Sequence, residues 1–357
     1  MIDLYGWSDT LQASFALHAA QGLVPARVLA HHRGLWRVVT AEGERAARLS
    51  GRFAGDASPG EHPVVGDWLG VSSEGATDEV IVHALLPRRS AFSRRAVSGG
   101  GVQVIAANVD VVFLVAALNA DLNLRRLERY LVAARESGAA PVIVLTKTDL
   151  SADPATEVAH VEEIAGGAPV VALSARTGDG LDRLAPWLKP GVTGALLGSS
   201  GAGKSTLLNA LAGAELMDTG AIRESDDRGR HTTTHRELFR LPSGALLVDT
   251  PGMREFGVLA GDAALDASFA DIVELFTQCR FGDCKHTTEP GCAVLAGLAD
   301  GTLSDERWRA YLKLQGELAF DARKGDPAAE AAHRRHWKQI NKSQRARNKM
   351  RRDSEDD

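Results

Sequence analysis

The sequence predicts an α/β protein in three parts, and three observations carry that prediction. A glycine-rich loop at mid-chain, Gly198-Ser199-Ser200-Gly201-Ala202-Gly203-Lys204-Ser205-Thr206, stands between an apolar run and a helical repeat. Before it, apolar runs alternate with helical stripes, the pattern of a doubly wound parallel sheet. Residues 1 to about 90 instead hold short strands, and all three cysteines fall within fourteen residues near the other end.

The chain has 357 residues, 44% hydrophobic and 24% charged, an ordinary globular composition. No apolar run approaches the roughly 18 residues of a membrane span, and the start, Met1-Ile2-Asp3-Leu4-Tyr5, lacks a signal peptide's layout. A cytoplasmic protein with no membrane partner is expected. The net charge of −5 is uneven: residues 333 to 352 carry nine Lys or Arg and no acid, and the last five residues carry four acids. Residues 331–357 thus read as a basic tail with an acidic end, either a solvated arm or a polyanion-binding one.

Residues 1–95 read as strands with turns: 26–30, 35–39, 45–49, 67–71 and 80–86. Five short strands at this spacing suggest a small barrel of OB type, a scaffold that serves equally as plain structure or as a binder of single-stranded nucleic acid. Pro87-Arg88-Arg89-Ser90 and Ser93-Arg94-Arg95 follow, as solvated linker charges or as contacts to backbone phosphate.

Over 96–258 the α/β pattern takes over. Strands are expected at 109–115, 141–145 and 170–173, with helices at 124–136 and 156–164, before the apolar run Ala195-Leu196-Leu197 and the glycine loop. That loop fits G-x-x-x-x-G-K-[ST] in its strand–loop–helix context, so it predicts a phosphate cradle. Its glycines let backbone N–H groups face phosphate oxygens, Lys204 reaches the β- and γ-phosphates, and the Ser205 hydroxyl holds Mg²⁺. Thr146-Lys147-Thr148-Asp149 ends the second strand and Ser174-Ala175 the third. A carboxylate at Asp149 can accept both N–H donors of guanine's Watson–Crick edge, a pair that adenine lacks, while the stem of Lys147 lies across the base. By itself T-K-x-D is equally a turn or a cap.

Beyond the loop, residues 220 to 235 form a polar segment in which Thr232, Thr233 or Thr234 could reach Mg²⁺. Strands at 237–241 and 245–248 lead to Asp249-Thr250-Pro251-Gly252. This D-x-x-G places a carboxylate near Mg²⁺ and the Gly252 N–H near a γ-phosphate. Residues 259–330 read as a mainly helical domain holding Cys279, Cys284, His286 and Cys292, a closed Cys₃His set suited to one structural Zn²⁺. A disulfide would leave one cysteine over; free thiols are the other alternative.

The motifs stand in the order base loop, Ser-Ala loop, phosphate loop, switch threonines, D-x-x-G. Ordinary GTPases use the same cycle opened elsewhere, so this is a circularly permuted P-loop GTPase domain, flanked by the barrel and the zinc-binding domain. Over residues 25 to 320 the chain resembles the small ribosomal subunit biogenesis GTPases, the RsgA (YjeQ) family. The resemblance rests on the motifs above, on Val65-Gly66-Asp67-Trp68, on residues 86–90 and 106–110, on Gly229-Arg230-His231-Thr232-Thr233-Thr234 and on the run from Asp249 to Gly257.

The resemblance implies a GTP hydrolase that binds GTP and GDP. It implies docking on the 30S subunit and its 16S rRNA late in maturation, stimulation by the ribosome, and release on hydrolysis. A monomer is expected. An RNA-binding protein using GTP as a slow switch is the alternative. Two departures from the common GTPase pattern stand out. Thr146 replaces the usual Asn, and Met253 sits where Ras-like enzymes place a water-orienting Gln. A Met cannot orient water, so His231, His235 or a ribosomal group is expected to do so.

Overall fold

The structure, a computed structural model, describes residues 1–32, 34–56, 62–73, 79–95, 102–119, 122–215, 237–249 and 262–325. The N-terminal part is a five-stranded barrel made of β1 (Val24–His32), β2 (Leu35–Val39), β3 (Glu44–Leu49), β4 (Trp68–Ser73) and β5 (Glu79–Leu85). Its strand order β1-β2-β3-β5-β4 closes through antiparallel pairing of β4 with β1, so no edge is left open. Val28, Val38, Leu69, Val71 and Val82 alternate inward to fill it.

The expectation of strands alone in this part needs correction. Residues 9–19 form helix α1 (Asp9–Ala19), and a short α2 (Gly51–Asp56) follows β3. The Ser8 hydroxyl accepts from the Leu11 N–H and caps α1. Leu11 and Phe15, one turn apart, pack on Trp68 and Leu86 at the barrel's base. With only two anchors, α1 has almost no apolar stripe to read. A hairpin, β6 (Ala91–Arg95) with β7 (Val102–Ala107), occupies what reads as linker. Of the arginines there, Arg88 forms a bidentate pair with the buried Asp67 carboxylate and is structural, while the half-exposed Arg89 pairs with Asp110.

The α/β part contains β8 (Val111–Ala117), α3 (Leu124–Glu136), β9 (Ala140–Thr146), α4 (Pro154–Ile164), β10 (Val170–Ala172), β11 (Thr193–Leu197), α5 (Lys204–Ala212), β12 (Glu237–Arg240) and β13 (Leu246–Asp249). Strand order is β10-β9-β8-β11-β13-β12, parallel except for the β12–β13 hairpin. α3 and α4 cover one face, packing Leu127, Leu131 and Val161 on Val112, Leu114 and Ile143. α5 and the 3-10 turn Leu181–Trp187 cover the other. The sheet is therefore doubly wound, and its loops gather at the carboxyl ends of the strands.

Barrel and sheet are continuous. Ala30 of β1 pairs with Glu237 of β12, and Arg37 bonds Glu237 across the same seam. Arg27, fully buried, donates to the Tyr5, Gly66 and Asn108 carbonyls and to the Thr193 hydroxyl at the head of β11. Burial lowers its pKa to about 10, still well above neutrality.

The C-terminal part is helical: α6 (Asp262–Ser268), α7 (Ala270–Thr277), α8 (Ala293–Asp300) and α9 (Asp305–Gly325). α6 packs on α3, and Val132 of α3 enters the apolar cluster of Leu265, Phe269, Ile272, Tyr311 and Leu314. Among the described residues no helix is long and apolar enough to cross a membrane. The basic tail lies outside them.

Candidate functional site

β11 is buried along its whole length and delivers its chain end directly into the glycine loop. A Cβ at Gly198 would lie 2.2 Å from the Val115 carbonyl oxygen of β8, so only glycine lets the loop leave the sheet there. Gly203, with φ +88°, turns the chain into α5, whose N-terminus has no side-chain cap. Leu207 and Leu208 anchor that helix in the core. A helix N-terminus left without a side-chain cap in this way suits anion binding. The Lys204 ammonium folds back over the loop, donating to the Gly198 carbonyl at 2.8 Å and the Ser199 carbonyl at 2.6 Å. Ser200 and Gly201 are exposed, and Ser205 and Thr206 are half-buried beside them.

The base-loop residues come to the same end of the sheet. Thr146 is almost fully buried, and its hydroxyl donates to the Ala202 carbonyl at 2.6 Å, joining this loop to the phosphate loop. Lys147 adopts the left-handed conformation, φ 62°, which breaks the strand and starts the 3-10 turn Thr148–Leu150. Asp149 Oδ1 accepts from the Ser174 hydroxyl at 2.6 Å. Ser174 is itself fixed: its N–H donates to the Asp179 carbonyl and its Oγ accepts from the Thr177 N–H. Ala175 packs into the core beneath. One oxygen of Asp149 is thus oriented by a side chain from the neighbouring strand's loop. Sequence reading named both residues but had no signal for this bond.

β13 runs parallel to β11, with Ala195 opposite Val248, so Asp249 ends its strand next to the phosphate loop's strand. Its side chain, and Gly252, His231, Thr232, Thr233, Thr234 and His235, lie outside the described residues.

A family model described as RsgA GTPase matches residues 85–259. The chain is 49% identical to the small ribosomal subunit biogenesis GTPase RsgA of Opitutus terrae, over 97% of each chain. It is 46% identical to the Streptomyces coelicolor protein of that name, over 94% of this chain and 91% of that one. This chain belongs to the RsgA GTPase family. Two solved structures share its architecture. One is YjeQ from Thermotoga maritima, with 28% identity, 83% of this chain and 99% of that one covered, and a TM-score of 0.63. The other is YloQ, described as a circularly permuted GTPase, with 26% identity, 84% and 96% covered, and a TM-score of 0.60. The chain is accordingly a circularly permuted GTP hydrolase.

The second site of this GTPase is the cysteine cluster. Cys279 follows α7, Cys292 caps α8 by accepting from the Leu295 N–H, and Cys284 and His286 lie on the turn between. The four ligand atoms lie within 4.8 Å of one another. Cys279 Sγ and Cys292 Sγ are 3.6 and 3.5 Å from His286 Nδ1, and 4.0 Å from each other. A tetrahedral ion with sulfur at ~2.3 Å needs edges of about 3.8 Å, so the set fits a four-coordinate metal. The His286 ring is held by stacking on Phe276 at 4.4 Å and by the edge of Trp308. Glu289 accepts from the Lys285, Thr287 and Thr288 N–H groups; those bonds depress its pKa to about 2 and brace the turn.

Proposed function

We propose that this GTPase docks on the 30S subunit late in its maturation, is stimulated there by the ribosome, and leaves when GTP is hydrolysed. The observation that carries the nucleotide half is the Thr146–Ala202 bond, which fixes base and phosphate loops as one surface. In this reading Gly198 to Thr206 hold the phosphates, with Lys204 at the β- and γ-groups. Ser205 and Asp249 hold Mg²⁺, and Gly252 senses the γ-phosphate. Asp149, oriented by Ser174 and flanked by Lys147, reads guanine, and His231, His235 or a ribosomal group orients the attacking water. Cys279, Cys284, His286 and Cys292 hold a structural zinc.

The ribosomal half is supported by the names of the relatives, which are small ribosomal subunit biogenesis GTPases at 43 to 49% identity. We assign the parts as barrel 1–95, GTPase 96–258, zinc domain 259–330 and tail 331–357, in a cytoplasmic monomer that contacts 16S rRNA. The test is GTP turnover with and without purified 30S and 50S subunits, with pelleting in GTP, GDP or a non-hydrolysable analogue. Turnover should rise with 30S alone, and the protein should pellet with the analogue but not with GDP. Equal pelleting in both nucleotides, with no stimulation, would refute the release cycle and favour a slow RNA-binding switch.

A further inference from the structure

The turn between the first two cysteines carries a feature that the nucleotide site does not use. Arg280, Phe281, Gly282 and Asp283 are all exposed there. Phe281 is 41% exposed, the one aromatic among the strongly exposed large hydrophobic side chains of the described residues. A lone exposed apolar side chain is ordinary, but this one is built into an ordered pair. The Arg280 guanidinium carbon lies 5.4 Å from the Phe281 ring centroid. The Arg280 N–H donates to the Gly291 carbonyl, and the Cys284 N–H donates to the Phe281 carbonyl. Gly291, at φ +78°, lies against the Arg280 stem: a Cβ there would come within 3.0 Å of it. The cluster residues Cys279 and Cys284 pin both ends of the turn. The backbone that carries the pair is therefore held before anything binds, which lowers the ordering cost of binding.

We infer that Arg280 and Phe281 form a stacking platform for an unpaired base of ribosomal RNA. The inference rests on the ribosomal reading above and specifies residues of contact. Every base offers a π-face to an aromatic ring, and arginine adds cation–π attraction and a phosphate contact. Base faces are hidden within an A-form duplex, so the ligand is a looped-out or single-stranded nucleotide. A protein partner would need apolar neighbours around the ring. Instead the turn offers Arg280, Gly282, Asp283 and the nearby exposed Lys285.

The experiment uses the full-length, metal-loaded protein and purified 30S subunits with a non-hydrolysable GTP analogue, titrated at several salt concentrations. Phe281→Ala should weaken binding by about 5- to 100-fold, the range for loss of one stacked base, while Phe281→Trp retains it. Arg280→Gln should weaken binding and lower the salt slope by about one. Metal content and intrinsic GTP turnover should match the parent. p-Benzoylphenylalanine at position 281 should crosslink to 16S rRNA on irradiation. Parent-like binding by Phe281→Ala, equal retention by Phe281→Leu and Phe281→Trp, or a crosslink to a ribosomal protein overturns the platform while the docking itself stands. A parent that fails to bind 30S removes both.

Discussion

Replacing Arg307 by alanine tests what holds the helical C-terminal part to the GTPase part. Arg307 lies on α9 and is nearly buried. It donates to Glu128 Oε1 of α3 at 2.7 Å, to both Asp271 oxygens at 3.0 and 2.8 Å, and to the Ser268 carbonyl at 3.0 Å. Its guanidinium also lies 4.2 Å over the Phe269 ring. Glu128 is the vulnerable partner, because its side chain is only 5% exposed and burial already raises its pKa. Removing Arg307 leaves that carboxylate uncompensated, which costs about 3–5 kcal/mol. The lost cation–π contact adds about 0.5–2 kcal/mol.

Urea unfolding of parent and variant at fixed zinc and nucleotide should show a loss of about 3 kcal/mol or more. The pH dependence has a definite sign. In the variant the folded Glu128 pKa lies further above its unfolded value. The penalty is therefore small below about pH 4, grows as pH rises through the unfolded value, and levels off above the folded one. The double variant Arg307→Ala with Glu128→Leu removes the buried Glu128 charge and should recover the part of the loss due to it, while the Arg307 bonds to Asp271 and Ser268 stay lost. A loss under about 1 kcal/mol in Arg307→Ala, or additive losses in the double variant, would refute this reasoning.

Thr146→Val should leave the buried Ala202 carbonyl without its donor and cost about 1–3 kcal/mol; Thr146→Ser should not, and binding of a fluorescent GDP analogue should follow the same order. Gly198→Ala sets a methyl 2.2 Å from the Val115 carbonyl oxygen, so nucleotide binding should be abolished while circular dichroism still reports the barrel. Asp149→Asn should shift preference from guanosine toward xanthosine nucleotides, and Ser174→Ala should weaken GDP binding severalfold without changing base preference, both read by competition. Elemental analysis should find one zinc per chain, lost in Cys284→Ser after chelation, together with thermal destabilisation of α7 to α9.

The sequence alone determined the elements whose chemistry is local. The phosphate loop, the T-K-x-D and D-x-x-G strand ends and the Cys₃His turn each lie within a few residues. Spacing and residue type therefore suffice to propose their roles, and their rotated order exposes the permutation that the solved relative shares. Helix α1 escaped because its stability comes from two side chains meeting Trp68 and Leu86, not from a repeating stripe. The tertiary structure alone decided how those local pieces combine. The Asp149–Ser174 bond spans 25 residues, Thr146–Ala202 spans 56, Arg27–Thr193 spans 166 and Arg307–Glu128 spans 179. No periodicity or propensity encodes such partners. They meet because sheet order and helix packing bring them together, and burial then makes each unsatisfied donor, acceptor or charge costly enough to fix the geometry.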